Sequence, residues 1–327
     1  MSEVRAPDIA AIRAAAARAE GHVRATPLLS SPGLDMLVRR RVLVKAECLQ
    51  ATGAFKLRGG WAAVSALPPG TAGILAYSSG NHAQGVAAAA AAHGLPAVIL
   101  MPEDAPAVKI EATRALGAEV VTYDRARGES RDALGDALAR ERGLVVIPPF
   151  DHPEVIAGQG TIGLEIAADA AALGVSEAEV LVPCGGGGLS SGIALALEAE
   201  APGFTVRTVE PEGFDDMARS LASGTRERNA AATGSVCDAL LTPVPGLLTL
   251  PVLRRLAGPG LVVTDGEALA AMAVAFRHLR LVLEPGGAVA LAALLFHGEA
   301  VAGDTVIVVA SGGNVDAALY AQVLRQV

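Results

Sequence analysis

From residue 42 onward, short apolar runs alternate with helical stretches, and this alternation constrains the fold more than any other feature. Strands are predicted at 42–45, 73–77, 97–101, 119–123, 144–147, 179–182, 205–210, 261–264 and 305–309. Helices are predicted at 55–67, 81–93, 107–116, 129–142, 155–172, 189–200, 266–280 and 287–296. A helix between two strands carries the chain back to the starting edge, so the strands pair in parallel and helices cover both faces. The expected class is α/β, with parallel-rich twisted sheets flanked by helices. Ligands of such open sheets bind beyond the carboxyl ends of the strands, which directs attention to the loops after strands. The stretch from 213 to 259 is rich in Gly, Pro, Ser and Thr. It reads as an irregular segment over one face, not as a linker.

Composition narrows the function classes. Hydrophobic residues form 52% and charged residues 18% of 327 positions, enough for a large core in one or two domains. The formal net charge of -8 argues against nonspecific nucleic-acid binding, which needs a basic surface. The apolar runs at 86–92 and 288–296 are shorter than the ~20 residues of a spanning helix, so they read as buried helices and no membrane partner is expected. The first residues lack an apolar signal core, which makes the cytoplasm the expected compartment. Cys48, Cys184 and Cys237 are odd in number and widely spaced, as buried reduced thiols would be.

Four strand-to-helix turns carry candidate chemistry. Thr52-Gly53-Ala54-Phe55-Lys56-Leu57-Arg58-Gly59 places Lys56 near a strand end. A lysine there is either a solvated surface residue or, if buried, a reactive amine. In Ser78-Ser79-Gly80-Asn81-His82-Ala83-Gln84-Gly85, the helix N-terminus and the Ser and Asn side chains suit a carboxylate. The alternative is an ordinary N-cap. Gly185-Gly186-Gly187-Gly188-Leu189-Ser190-Ser191-Gly192 reads as a phosphate cradle, because consecutive glycines let several N–H groups converge on one anion. A dinucleotide fingerprint is the competing reading, and its Gly spacing and later acid are not clean here. Ser311-Gly312-Gly313-Asn314 is a further ligand loop or a glycine turn into the last helix.

Together these segments resemble the fold-type-II pyridoxal-phosphate enzymes, the tryptophan synthase β-like group, and within it the threonine/serine dehydratases and serine racemases. The resemblance runs from about Thr26 to Asp316 and includes Pro149-Phe150-Asp151-His152-Pro153 and Ile156-Ala157-Gly158-Gln159-Gly160-Thr161. It implies a large cofactor-binding domain of residues 1–72 and 148–327, and a small domain of 73–147 that moves to close over substrate. It implies Lys56 as the Schiff-base lysine and general base, and Phe55 against the cofactor ring. Gly185, Gly186, Gly187, Gly188 and Leu189 would hold the phosphate, Asn81 the ring hydroxyl and Ser311 the pyridine nitrogen. Ser78, Ser79, Gly80, Asn81 and His82 would hold the substrate. The implied reaction converts L-threonine or L-serine to a 2-oxo acid and ammonia, in a homodimer.

Subtype turns on a few positions. Ser79 stands where racemases of the group carry a second acid/base, which keeps serine racemisation open. Ala51 replaces a lysine of the nucleotide-activated animal enzymes, which argues against ATP activation. The resemblance also leaves out the C-terminal regulatory domain of biosynthetic threonine dehydratases. Arg131 is a solvated helix residue or, alternatively, a contact for a second substrate carboxylate, as a hydroxyaspartate dehydratase needs. Glu210, the Phe214 carbonyl and Asp216 match the group's divalent-cation site, with Mg²⁺ or Ca²⁺ as the expected ion.

Overall fold

The computed structural model describes residues 4–78, 80–103, 105, 107–124, 127 and 129–325. Its strands are β1 (Leu28–Ser30), β2 (Arg41–Lys45), β3 (Ile74–Tyr77), β4 (Ala97–Pro102), β5 (Glu119–Tyr123), β6 (Val145–Val146), β7 (Ala178–Pro183), β8 (Phe204–Pro211), β9 (Leu261–Val263) and β10 (Thr305–Val309). Its helices are α1 (Ile9–Ala19), α2 (Pro32–Val38), α3 (Lys56–Ser65), α4 (Asn81–Ala92), α5 (Ala107–Ala115), α6 (Arg131–Arg142), α7 (Pro153–Ala172), α8 (Gly188–Glu200), α9 (Asp216–Ser223), α10 (Thr249–Leu256), α11 (Asp265–Leu279), α12 (Pro285–Phe296) and α13 (Ala317–Arg325).

The strands form two sheets. The larger has the order β1-β2-β10-β7-β8-β9, and the smaller β5-β4-β3-β6. Only the edge pair β1–β2 is antiparallel among the described ladders. The smaller sheet is thus built from one continuous stretch of chain, and the larger from the parts on either side of it.

Period-two side-chain alternation explains the double cover of the larger sheet. Val42, Val44, Leu181, Val306 and Val308 face α11 and α12. Leu43, Val180, Val182, Ile307 and Val309 face α7 and α8. Each such side chain contributes about 1.5–3 kcal/mol of burial. Helix α12 is buried from Pro285 to Leu294, which accounts for its unbroken apolar run. The smaller sheet packs Ile74, Ala76 and Ile99 against α4, with Trp61 of α3 joining that core. Its other face sets Leu75, Val98 and Leu100 against α6.

Two parts of the chain depart from the expected pattern. Helix α1, strand β1 and helix α2 precede residue 42, where no alternation was read. The segment 213–259 also holds α9 and α10, together with a 3-10 turn at Asp238–Leu240. These are short helices that bury one face, Met217 and Ser220 in α9 and Leu250 and Leu253 in α10. Gly213 and Gly224, both at positive φ, break the chain on either side of α9 and hide it from a breaker count. No helix among the described residues is long and apolar enough to cross a membrane.

Candidate active site

Helix α3 opens with Lys56, and its close approach to α4 sets the position of that lysine. A Cβ on Gly85 would lie 2.8 Å from the Lys56 carbonyl carbon, and one on Gly60 would lie 2.9 Å from the Gly85 carbonyl carbon. Any larger side chain at either glycine would push the helices apart. Lys56 Nζ donates to the Pro149 carbonyl at 2.7 Å and sits 5.1 Å from the centre of the Phe55 ring. Burial lowers its pKa from 10.5 to about 8, as a reactive amine requires.

Three of the candidate turns meet directly. Ala54 and Gly312 form an antiparallel bridge, Phe55 N–H donates to the Ser311 carbonyl at 3.1 Å, and Gly313 N–H donates to Gly53 at 2.8 Å. Asn314 Nδ2 donates to the Thr52 carbonyl at 2.9 Å and to Asn81 Oδ1 at 2.8 Å. Ser311 is buried at the end of β10, Asn81 opens α4, and Lys56 opens α3.

The N-cap alternative for the second turn does not hold in the described residues. Gly80 is the N-cap of α4, and no side chain caps the helix. Ser78 Oγ accepts from Gly80 N–H at 3.1 Å instead. The first amides of α4 keep their capacity for an anion. Ser79 lies outside the described residues. His82 Nε2 lies 2.9 Å from the Ile147 carbonyl, and a carbonyl only accepts, so this nitrogen carries the proton. Nδ1 is then a bare acceptor, buried and without a partner in the protein. Burial, together with the charge of neighbouring Lys56, lowers the His82 pKa to about 3 and keeps the ring neutral.

The glycine run forms a built cradle. Gly187 takes φ 90° and caps α8. A Cβ on Gly186 would strike the Phe150 ring at 2.3 Å, and one on Gly188 would lie 2.9 Å from Phe150 Cβ. Phe150 follows the carbonyl that holds Lys56, so one dipeptide joins the lysine to the cradle. Thr249 Oγ1 fixes the Gly186 carbonyl at 2.6 Å. Ser190 Oγ is buried with only the weakly bonding Cys184 thiol beside it, and Leu189 is buried next to it. The opening amides of α8 have no acceptor within the helix, so a phosphate fits the cradle, the helix end and the Ser190 hydroxyl together.

Glu210 and Asp216 lie behind this loop, since a Cβ on Gly187 would lie 2.7 Å from Met217 Cε of α9. Both oxygens of Glu210 accept from α9 amides, Met217 at 2.9 Å and Ala218 at 2.7 Å. Asp216 Oδ1 accepts from Asn229 Nδ2 at 2.6 Å, whereas Oδ2 is buried without a partner. Burial raises both acids, Asp216 to about 6 and Glu210 well above its usual range. Phe214 is buried in the turn between them. Among the described residues, no group of three or more His, Cys, Asp or Glu side chains is arranged to hold a metal.

Sequence reasoning missed the Pro149 carbonyl, Thr249, Glu284 and the contacts of Asn314. A main-chain carbonyl leaves no residue-type signal. Thr249 lay in the stretch read as irregular and Glu284 just ahead of the helix predicted at 287–296, and their partners are far away in the chain. Asn314 stood in a recognised loop, and its amide network appears only in three dimensions.

The model of the family described as "Pyridoxal-phosphate dependent enzyme" matches residues 19–312. An L-threo-3-hydroxyaspartate ammonia-lyase of Pseudomonas sp is 40% identical over 313 residues, spanning 95% of this chain and 96% of that protein. A serine racemase of Oryza sativa subsp. indica is 37% identical, over 95% of this chain and 92% of its own. The crystal structure of a T.th. threonine deaminase superposes with a TM-score of 0.90 at 44% identity, covering 95% of this chain and 99% of that one. The lysine at the head of α3, the glycine cradle and this agreement along the chain lead to one conclusion: the chain belongs to the fold-type-II family of pyridoxal-phosphate-dependent enzymes.

Proposed function

We propose that the protein is an ammonia-lyase that takes L-threonine or L-serine to the 2-oxo acid and ammonia by α,β-elimination. The observation that carries this reading is the environment of Lys56 Nζ: half-buried at the head of α3, lowered toward neutrality, and held by the Pro149 carbonyl at 2.7 Å. Gly185 to Gly188 and Leu189 would hold the pyridoxal 5'-phosphate through its phosphate. Lys56, Asn81, Ser311 and Phe55 would hold the aldehyde, ring hydroxyl, ring nitrogen and ring face. When bound, the cofactor supplies an electron sink for the charge left at Cα.

The chain's own groups do the rest. The open amides of α4, with Ser78, Ser79 and Gly80, bind the substrate carboxylate. Neutral His82 offers Nδ1 to a substrate donor. Lys56 Nζ takes the Cα proton, the electron pair forms the Cα–Cβ double bond, and the Cβ–O bond breaks; the leaving hydroxyl takes up one proton and departs as water, which balances the proton that Lys56 gained. Hydrolysis of the resulting enamine returns that water and yields the 2-oxo acid and ammonia. Ser311 is neutral and presents no carboxylate to the ring nitrogen, which limits carbanion lifetime and favours elimination over transamination. Closure of the small-sheet unit, residues 73–147, on the rest of the chain would exclude water. A homodimer is part of the same reading.

Glu210, the Phe214 carbonyl and Asp216 would hold Mg²⁺ or Ca²⁺. Hard oxygen donors and the unpartnered buried Asp216 Oδ2 fit such a cation. Its service there would be to neutralise two buried acids behind the phosphate loop.

A second reading has its own support. Arg131 sits 5.3 Å from the centre of the Tyr77 ring, and Tyr77 immediately precedes the Ser78 loop. A cation there would suit a second carboxylate, and the Pseudomonas relative is named for a hydroxyaspartate. Racemisation would rest on Ser79.

One panel separates these readings. Purified protein is given L-serine, D-serine, L-threonine and 3-hydroxyaspartate, and 2-oxo acid, ammonia and serine chirality are measured. Rapid release from L-threonine or L-serine without inversion is expected, and Lys56→Ala should abolish it. Full activity in Lys56→Ala would overturn the mechanism. Turnover of hydroxyaspartate alone, or inversion of serine, would move the enzyme to the second reading.

A further inference from the structure

Glu284 is a buried carboxylate that the mechanism above does not use. It is the N-cap of α12, yet its side chain makes no capping bond to that helix. Its Oε1 instead accepts from Asn81 Nδ2 at 2.6 Å, across a sequence separation of 203 residues. Its N–H donates to the Gly312 carbonyl at 3.1 Å, and a Cβ on Gly312 would lie 2.1 Å from Oε1. The carboxyl group therefore fills the space beside Gly312, in the loop of Ser311, and reaches Asn81 from there.

The direction of the network is determined. The Thr52 carbonyl can only accept, so the NH₂ of Asn314 must face it. The same NH₂ donates to Asn81, which must present its oxygen. The Asn81 NH₂ is then turned to Glu284, which must accept. One of its two hydrogens is used there and the other is left over. A flipped Asn81 would set two NH₂ groups against each other. Burial pushes Glu284 up to about 7, with the Asn81 bond pulling it down, Asp238 raising it and Lys109 lowering it. Lys109 and Asp238 pair with each other at 2.9 Å, and the thiols of Cys48 and Cys237 feel the Glu284 charge. Charged or neutral, the carboxyl keeps an oxygen that can accept.

We propose that Glu284 is a positioning residue for the cofactor: with Asn314 it locks the Asn81 amide so that the remaining N–H serves the ring hydroxyl. This rests on reading the site as a pyridoxal-phosphate site. Three of the four candidate turns, those of Lys56, Asn81 and Ser311, would then be aligned by one directional hydrogen-bond chain.

The test measures the visible absorption of the bound cofactor and its dissociation constant in holoenzyme, for Asn81→Ala, Glu284→Met, Glu284→Gln and the double variant Asn81→Ala/Glu284→Met. Methionine fills the space without an oxygen acceptor, whereas glutamine keeps one. Glu284→Met should weaken pyridoxal phosphate about tenfold and move the band as Asn81→Ala does, the size of one lost hydrogen bond. Glu284→Gln should stay within about twofold of wild type, and the double variant should be no weaker than Asn81→Ala. An unchanged band and affinity in Glu284→Met, beside altered ones in Asn81→Ala, overturns the proposal, as does additivity in the double variant. If Glu284→Met does not fold, Glu284→Gln decides: near-wild-type binding supports the acceptor role and a tenfold loss overturns it. A wild-type protein that binds no pyridoxal phosphate would overturn the site reading itself, an outcome distinct from failure of Glu284 alone.

Discussion

Arg58 donates to both oxygens of Glu47, each at 2.8 Å, and neither side chain reaches solvent. The pair ties the first turn of α3 to the 3-10 turn after β2. Arg58 also donates to Glu165 at 2.6 and 2.9 Å, and fully buried Lys45 pairs with the same Glu165 at 2.7 Å. Two cations thus face Glu47 and Glu165 beneath the helix that carries Lys56, with Asp169 a further 3.4 Å partner of Lys45. Removing one partner of such a pair leaves a buried charge without compensation. Arg58→Met is expected to lower unfolding free energy by roughly 3–5 kcal/mol in urea denaturation. Adding Glu47→Gln should cost less than the sum of the two single changes. A loss below about 1 kcal/mol for Arg58→Met would mean that the network is energetically idle.

Burial of Lys56 links stability of the apoprotein to pH. Its pKa is about 8 folded against 10.5 unfolded, so the unfolded chain holds the proton more tightly. Stability therefore rises between these values and is lost as pH falls through 8. Lys56→Met removes the buried charge. Cofactor-free Lys56→Met should be more stable than cofactor-free wild type at about pH 7, and the gap should narrow toward about pH 10. Thermal midpoints at the two pH values measure this. A gap that does not change with pH would place the lysine charge in solvent.

The strands and the turns after them were legible because an alternating apolar pattern and glycine-rich turns are local properties of the chain. Val306, Ile307, Val308 and Val309 alternate between two cores as their order predicts. What was hidden depends on partners distant in sequence. Glu284 looks like a helix cap and is spent on Asn81 instead. Lys45 ends a strand, where a lysine is usually solvated, and is fully buried because Glu165 and the Thr26 carbonyl meet it. Helix α1 is rich in Ala and Arg, and its buried stripe is only Ile12 and Ala15. So narrow a stripe scarcely differs from a polar helix in sequence. The placement of Phe150 on the glycine loop was equally invisible, since a ring seated on glycines leaves no mark beyond the glycines themselves.

Arg131 gives the substrate question a single handle. Its guanidinium lies over the ring of Tyr77, one residue before the loop assigned to the substrate carboxylate. If it meets a second carboxylate, Arg131→Ala should raise KM for 3-hydroxyaspartate by about 10- to 100-fold, the size of one charge-assisted hydrogen bond. KM for L-threonine should stay within about twofold, because that substrate has no group for the cation. Steady-state kinetics on both substrates decide the matter. Equal losses on both would assign Arg131 to the packing of Tyr77 instead.

The acids behind the glycine loop lead to a prediction about metal. Glu210 has both oxygens on α9 amides, Asp216 has one oxygen on Asn229, and Asp216 Oδ2 has no partner. A divalent cation would satisfy that oxygen and offset the repulsion between the two acids, and a ligand that binds only the folded state stabilises it. Chelator-treated protein given Mg²⁺ or Ca²⁺ at a hundredfold excess over Kd should gain about 2.7 kcal/mol, which raises Tm by about 4 °C. Asp216→Asn should abolish the gain. It should also leave the cation-free protein at least as stable as wild type, because an amide keeps the contact with Asn229 and removes a buried charge. Scanning calorimetry with and without cation measures both effects. If exhaustive chelation changes neither Tm nor turnover, and added cation restores nothing, the pair serves α9 as a helix cap and a proton takes the place of the ion.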